Sequence, residues 1–240
     1  MSSTGKAVAT GALSALLVLA LAAGGGYVYL RATDSLSKRT DTATVALVIA
    51  SRGEDGATVA SLVGLVASSD ATTTITDVDP DTRVTIAGTS YDRLKDAYAF
   101  GGGAAVAKAL PALASAPTPA APAPAYVAVP EAVWRSALDR GGEPGVRVTL
   151  PQALDVFDGR TLTSLPAGEQ TLRSDEVAAL LRALAYVPAA ERSGVRTALI
   201  RGIASALATQ GAPVSQLSSD LKQETLRIWL SGPLLKLSGR

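Results

Sequence analysis

Any chemistry in this chain falls to carboxylates, guanidinium and ammonium groups and hydroxyls, because it contains no histidine and no cysteine. That removes Ser-His-Asp and Cys-His nucleophile systems, thiolate or imidazole zinc sites, and disulfides. Two groupings remain. Asp77, Asp79 and Asp81 alternate along the chain and could gather oxygen ligands for Mg²⁺ or Ca²⁺. They lack the glycine and terminal glutamate of an EF-hand loop, and aspartate-rich turns are common without metal. Arg182, Arg192 and Arg196 lie on two successive predicted helices, the last two one turn apart on the same face. Guanidinium forks suit phosphate oxygens, so these arginines are candidates for holding a phosphorylated ligand; a solvated helix face accounts for the same pattern. Neither Gly101–Lys108 nor Gly141–Gly145 has the spacing of a P-loop or a dinucleotide fingerprint, and both read as turns.

The elements that must position these groups alternate between strand and helix. The run Thr44–Ala50 is apolar and β-branched, the mark of a strand buried on both faces. Strands are also expected at Ser61–Ala67, Thr72–Val78, Tyr126–Val129 and Val146–Leu150, with turns at Asp79–Thr82 and Leu165–Gly168. Helices are expected at Ser90–Phe100, Ala104–Leu113, Glu131–Asp139 and Ser174–Leu184, the last with Ser174 as N-cap. A further helix opens at Pro188 and runs to about Thr209, and an amphipathic one spans Gln216–Leu230 with Leu217, Leu221 and Ile228 on one stripe. This alternation argues for an α/β or mixed domain with helices on both sides of a central sheet.

Outside the domain, the 24 positions from Ala7 to Leu30 carry no charged side chain. As a helix they would span roughly 36 Å, enough to cross a hydrocarbon core of about 30 Å. A transmembrane anchor is expected there, after a short cytoplasmic tail (1–6) and before a polar spacer (31–43). A cleaved signal peptide ending near Ala20–Ala22 is the alternative. The Pro/Ala-rich segment Ser115–Ala125 reads as an exposed, semi-extended loop. A net charge of +1 gives no electrostatic case for nucleic acid.

Four stretches, taken in order, carry a resemblance. Val45–Arg52 (VALVIASR), Arg93–Gly102 (RLKDAYAFGG), Leu138–Leu150 (LDRGGEPGVRVTL) and Leu165–Arg182 (LPAGEQTLRSDEVAALLR) are similar to conserved stretches of the LytR-CpsA-Psr (LCP) family. Members of that family are membrane-anchored bacterial proteins that move glycopolymers from a polyprenyl diphosphate carrier onto peptidoglycan. The similarity covers about 44–207. It implies an LCP-like α-β-α sandwich with a central mixed sheet, preceded by one N-terminal transmembrane helix. It also implies an apolar tunnel for the lipid tail, with arginines and aspartate-held Mg²⁺ at its mouth.

Carried over position by position, that site is altered. Arg52 matches the arginine after the first strand, but Ala50 occupies the place of the family's metal-binding aspartate, and Val59 that of its second metal acid. Asp81 and Thr82 remain of a Pro-Arg-Asp-Thr motif, with Pro80 in place of its arginine. Arg182 matches the first of a paired Arg-X-Arg and Leu184 replaces the second. Arg192 matches the next arginine, and Arg196 stands where a glutamine is expected.

The resemblance therefore implies a membrane-anchored, extracytoplasmic cell-envelope protein whose phosphate-binding candidates are Arg52, Arg182, Arg192 and Arg196, with Asp81 and Thr82 as lesser ones. A diphosphate leaving group needs its charge neutralised by a metal and several cations, so loss of both acids implies a non-catalytic member. The expected partners are the membrane and a polyprenyl-phosphate lipid or cell-wall glycan. No cofactor is expected. Two alternatives stand beside this: an active glycopolymer–peptidoglycan phosphotransferase using Mg²⁺ held on relocated ligands such as Asp77, Asp79 or Asp81, and a structural interaction module without a lipid ligand.

Overall fold

The computed structural model describes residues 44–236, apart from 54, 69–71, 114–122, 141–144, 158–160 and 211–212. The expected anchor, tail and spacer, and most of the Pro/Ala segment, lie outside the described residues. Among the described residues no helix is long and apolar enough to cross a membrane.

The apolar run of the first strand, β1 (Val45–Arg52), is buried along its whole length except at Arg52. It is the centre of a five-stranded sheet in the order β3-β2-β1-β4-β9, with β2 at Thr58–Ser68, β3 at Thr73–Val78, β4 at Ala125–Val129 and β9 at Ser218–Ser219. β1 pairs parallel with β4 and antiparallel with β2, while β3 and β9 join antiparallel at the edges, so the central sheet is mixed. Side chains alternate between faces along a strand. Val45, Leu47 and Ile49 accordingly enter one core, and Ala46 and Val48 the other. The larger core holds α2 (Glu131–Arg140), α3 (Ser174–Ala183) and α4 (Ala189–Gln210). The smaller lies under a 3₁₀ helix at Leu94–Phe100 and α1 (Gly102–Ala109). The expected layering of helices about a central mixed sheet is what is observed.

Two close approaches set the layer spacing. Gly64 of β2 lies under Ile200 of α4, and a Cβ at Gly202 would overlap the Val146 side chain of β5 (Val146–Leu150). The long helix α4 thus lies close on the sheet and on a second, smaller sheet, in which β5 pairs with β8 (Gly168–Leu172). A hairpin of β6 (Leu154–Phe157) and β7 (Leu162–Leu165) completes the strands. β6 buries two residues, Leu154 and Val156, and β7 and β8 one each, Leu165 and Leu172, which is why these three do not stand out from the surrounding polar sequence.

Several expected boundaries move. The helix expected from Ser90 begins at Leu94 and is 3₁₀, because the preceding residues fold back on the aspartate turn: the Val84 N–H donates to Asp92 O at 2.9 Å, and Arg83 and Arg93 form an isolated bridge. The N-cap of α3 is Arg173, not Ser174; its backbone N–H donates to Glu176 Oε2 at 2.8 Å, the returning half of a capping box. The helix expected at Gln216 begins as α5 at Gln223 (Gln223–Ser231), because Ser218 and Ser219 are drawn onto β4 as an edge strand. Its buried residues are Leu226, Trp229 and Leu230, and Ile228 faces solvent. A last turn, α6, spans Pro233–Lys236.

Candidate functional site

β1 ends at the rim of a cavity of about 360 Å³. Arg52, Arg182, Arg192 and Arg196, expected from sequence to bind phosphate, all line it, together with Lys95. Four separate segments deliver them: the end of β1, the 3₁₀ helix, the last turn of α3 and the first two turns of α4. Of the lesser candidates Asp81 lines the cavity and Thr82 does not; Thr82 serves the turn, with its N–H donating to Asp79 O at 3.0 Å and its carbonyl accepting from Leu94 N–H at 2.9 Å.

The ladder between β1 and β2 slips at Ile49/Ala50, so that Ile49 faces Leu62 while Ala50 faces Ala60. Ser61 is the extra residue, and such bulges re-aim side chains near sites. Ser61 lines the cavity and is hydrogen-bonded to Ser51 through the hydroxyls. The Arg52 N–H donates to Glu131 Oε2 at 2.8 Å, which pins the end of β1 to the start of α2. Trp134, fully buried on α2, donates its indole N–H to Ala50 O at 3.0 Å.

The arginines differ in how their charge is met. Arg192 donates to the carbonyls of Ala185 at 2.9 Å and Val187 at 3.0 Å, holding the turn between α3 and α4. Carbonyl oxygens orient a guanidinium while leaving its net charge in place. Arg196 is different. It is buried and grips Asp77 of β3 in a fork, with Nη2 2.7 Å from Oδ2 and Nε 3.0 Å from Oδ1, and its Nη1 lies 3.4 Å from Asp79 Oδ1. Ser193 adds a hydrogen bond to Asp77 Oδ2 at 3.0 Å. Two members of the alternating aspartate set thus bind an arginine. The third, Asp81, pairs with Lys95 at 2.7 Å.

Sequence reasoning missed Lys95, Asp96 and Asp55, which also line the cavity. Lys95 and Asp96 lie within the matched stretch Arg93–Gly102, but only the folding of the 3₁₀ helix over β2 aims them inward. The zipper is explicit: Lys95 N–H donates to Pro80 O at 2.8 Å, and Arg93 Nη1 to Asp81 O at 2.7 Å. Burial raises the pKa of Asp96; Lys95 opposes the shift, and Asp81, Asp55 and Asp92 add to it. Five cationic side chains and three carboxylates therefore face one cavity. Its walls also include Val59, Ala60, Leu181 and Leu184.

The positions that the resemblance assigns to metal acids offer no oxygen ligand. Val59 lines the cavity with an isopropyl group, and Ala50, two residues before Arg52 on the same strand face, is fully buried. Among the described residues no group of three or more acidic, histidine or cysteine side chains is placed to hold a metal ion. The donor set does not fit Mg²⁺ at those two positions. What the arrangement can do is bind an anion with several oxygens, each taking a guanidinium or ammonium from a different element.

The chain matches no family model, and no curated protein sequence matches it. Its fold does match solved structures. The LytR-Csp2A-Psr enzyme from Actinomyces oris superposes with a TM-score of 0.57 at 20% identity, over 82% of this chain and 77% of that one. B. subtilis TagV gives 0.54 at 17% identity, over 82% and 80%. TagT bound to LIIa-WTA gives 0.53 at 18%, over 82% and 75%. The domain is similar to these proteins in fold.

Proposed function

We propose that this chain is an LCP-like protein of the cell envelope that binds a polyprenyl-diphosphate-linked glycan and does not transfer it. The observation that carries the reading is the convergence of Arg52, Lys95, Arg182 and Arg192 on one cavity where the expected metal acids are replaced by Ala50 and Val59. A diphosphate presents enough oxygens to engage several cations at once, and charge-assisted bonds of this kind are roughly twice as strong as neutral ones. Transfer asks for more: the leaving diphosphate gains charge in the transition state, and a metal ordinarily supplies several kcal/mol of that stabilisation. Fold likeness to TagT, whose structure holds LIIa-WTA, supports a glycan-bearing ligand. On this reading the apolar run 7–30 tethers the chain to the cell membrane with the domain outside.

The test uses the full chain in lipid nanodiscs. Calorimetry with inorganic pyrophosphate is expected to give binding that weakens in Arg52→Ala and Arg192→Ala. A transfer assay with a polyprenyl-diphosphate glycan, peptidoglycan fragments and Mg²⁺ is expected to give no product. Turnover there would overturn the non-catalytic reading. Loss of all pyrophosphate binding would overturn the ligand.

A further inference from the structure

The three carboxylates that line the cavity are each committed in a different way. Asp81 Oδ1 lies 2.7 Å from Lys95 Nζ. Asp55 Oδ1 accepts the Ala57 N–H of its own turn at 3.0 Å. Burial raises the pKa of Asp96 and so works against the charge that a metal would require of it; Lys95 opposes the shift, and Asp81 and Asp55 add to it. Mg²⁺ demands near-octahedral geometry and is ordinarily held between one or two protein carboxylates and the phosphates of a ligand. In this cavity a carboxylate that could form such a bridge already carries an ammonium.

Backbone bonds fix both ends of the Lys95–Asp81 pair. The Lys95 N–H donates to Pro80 O at 2.8 Å, one residue before Asp81. The Asp81 N–H donates to Asp79 Oδ1 at 3.0 Å, and Arg93 Nη1 to Asp81 O at 2.7 Å. Stability does not account for this arrangement. The two side chains are 40% and 43% exposed, and an ion pair so open to water contributes little to the fold. Arg196 is the contrast, since its guanidinium is forked onto buried Asp77. An ammonium carries three donors and the Asp81 oxygen takes one of them. What faces the cavity is therefore a compact cation, fixed in place and able to donate further.

We propose that Lys95, seated on Asp81, makes the cavity specific for the metal-free form of its diphosphate. The free anion keeps its full charge and all its oxygens for the ammonium and the guanidinium groups. In the magnesium complex two of those charges are neutralised and some oxygens are taken. The bound ion would also meet Lys95 as a like charge and find Asp81 occupied. Lys95 is the determinant because it occupies the carboxylate through which a metal would bridge ligand and chain. This inference rests on the diphosphate reading and adds which ionic form of that ligand the cavity selects.

The experiment is calorimetry on the full chain in nanodiscs with two probes: pyrophosphate in EDTA, and pyrophosphate saturated with Mg²⁺. The native chain is expected to bind the free anion about tenfold more tightly than the magnesium complex. Lys95→Met is expected to weaken binding of the free anion about tenfold and so remove the preference. Lys95→Arg, which keeps the charge, is expected to restore most of it. Arg52→Met serves as the comparison and is expected to weaken both forms while keeping the preference. Melting temperatures without ligand check that each variant is folded, and the native comparison needs no variant. Equal or tighter binding of the magnesium complex by the native chain overturns the specificity and leaves the diphosphate reading standing. Binding of neither form overturns that reading and the specificity with it. A folded Lys95→Met chain that still prefers the free anion overturns Lys95 as the determinant.

Discussion

Asp77 and Arg196 lie 119 positions apart in the chain and meet as a buried ion pair, their side chains 4% and 7% exposed and 2.7 Å apart. The pair joins the edge strand β3 to the second turn of α4, and so closes one wall of the cavity. It also gives Arg196 a different role from the other cavity cations. A guanidinium already forked onto one carboxylate and leaning on a second has little charge left to offer a phosphate.

Removing one partner leaves the other charged and buried. Arg196→Met or Asp77→Leu alone should cost about 3–5 kcal/mol of stability, and the double replacement should recover most of that loss. Urea denaturation of the three variants measures it. A double variant no more stable than the singles would show that the pair is needed for the fold itself.

Arg52 and Arg192 should separate binding from stability. Arg52 reaches from the end of β1 into solvent, so Arg52→Ala should weaken pyrophosphate binding with little change in melting temperature. Arg192 also holds the carbonyls of Ala185 and Val187. Arg192→Ala should therefore lower both binding and stability, the latter by about 1–3 kcal/mol. Equal stability loss in the two variants would contradict these assignments.

Asp96 predicts a dependence on pH. Its folded-state pKa is raised above the ordinary carboxylate value, chiefly by burial. The neutral form is therefore favoured by the fold, and its contribution to stability is complete below the unfolded pKa of about 3.9 and lost as pH rises through the folded value. Asp96→Asn should raise the melting temperature relative to the native chain at pH 7, and the advantage should vanish near pH 3. An advantage constant from pH 3 to pH 7 would argue against ionisation as the cause.

Gly202 tests the close approach of α4 to β5. Gly202→Ala places a methyl group against Val146 and should cost about 1–3 kcal/mol by overpacking. Val146→Ala in the same chain should relieve it, which a double-mutant cycle would register as coupling.

The metal question can be put to the native chain and to a repaired one. Ala50→Asp with Val59→Asp should acquire a Mg²⁺-dependent rise in melting temperature, because a ligand that binds only the folded state stabilises it. The native chain should show no saturable rise. Calorimetric stabilisation of the native chain by millimolar Mg²⁺ would show that it binds metal without those two acids.

Much of the fold was legible because the signals were local. The continuous apolar run at Val45–Ala50 can be satisfied only by burial on both faces, and the alternation of strand and helix along the chain reflects short-range periodicity. The arginines could be named from spacing and from resemblance, since residue type and order need no coordinates. What the sequence left open was decided by contacts between segments far apart in the chain. Lys95 faces the cavity only because Leu94–Phe100 folds as a 3₁₀ helix zipped to the aspartate turn. Arg196 and Asp77 find each other only once α4 lies across β3. Charge compensation and exposure are properties of three-dimensional neighbourhoods, and long-range pairing leaves no periodic trace in the order of residues.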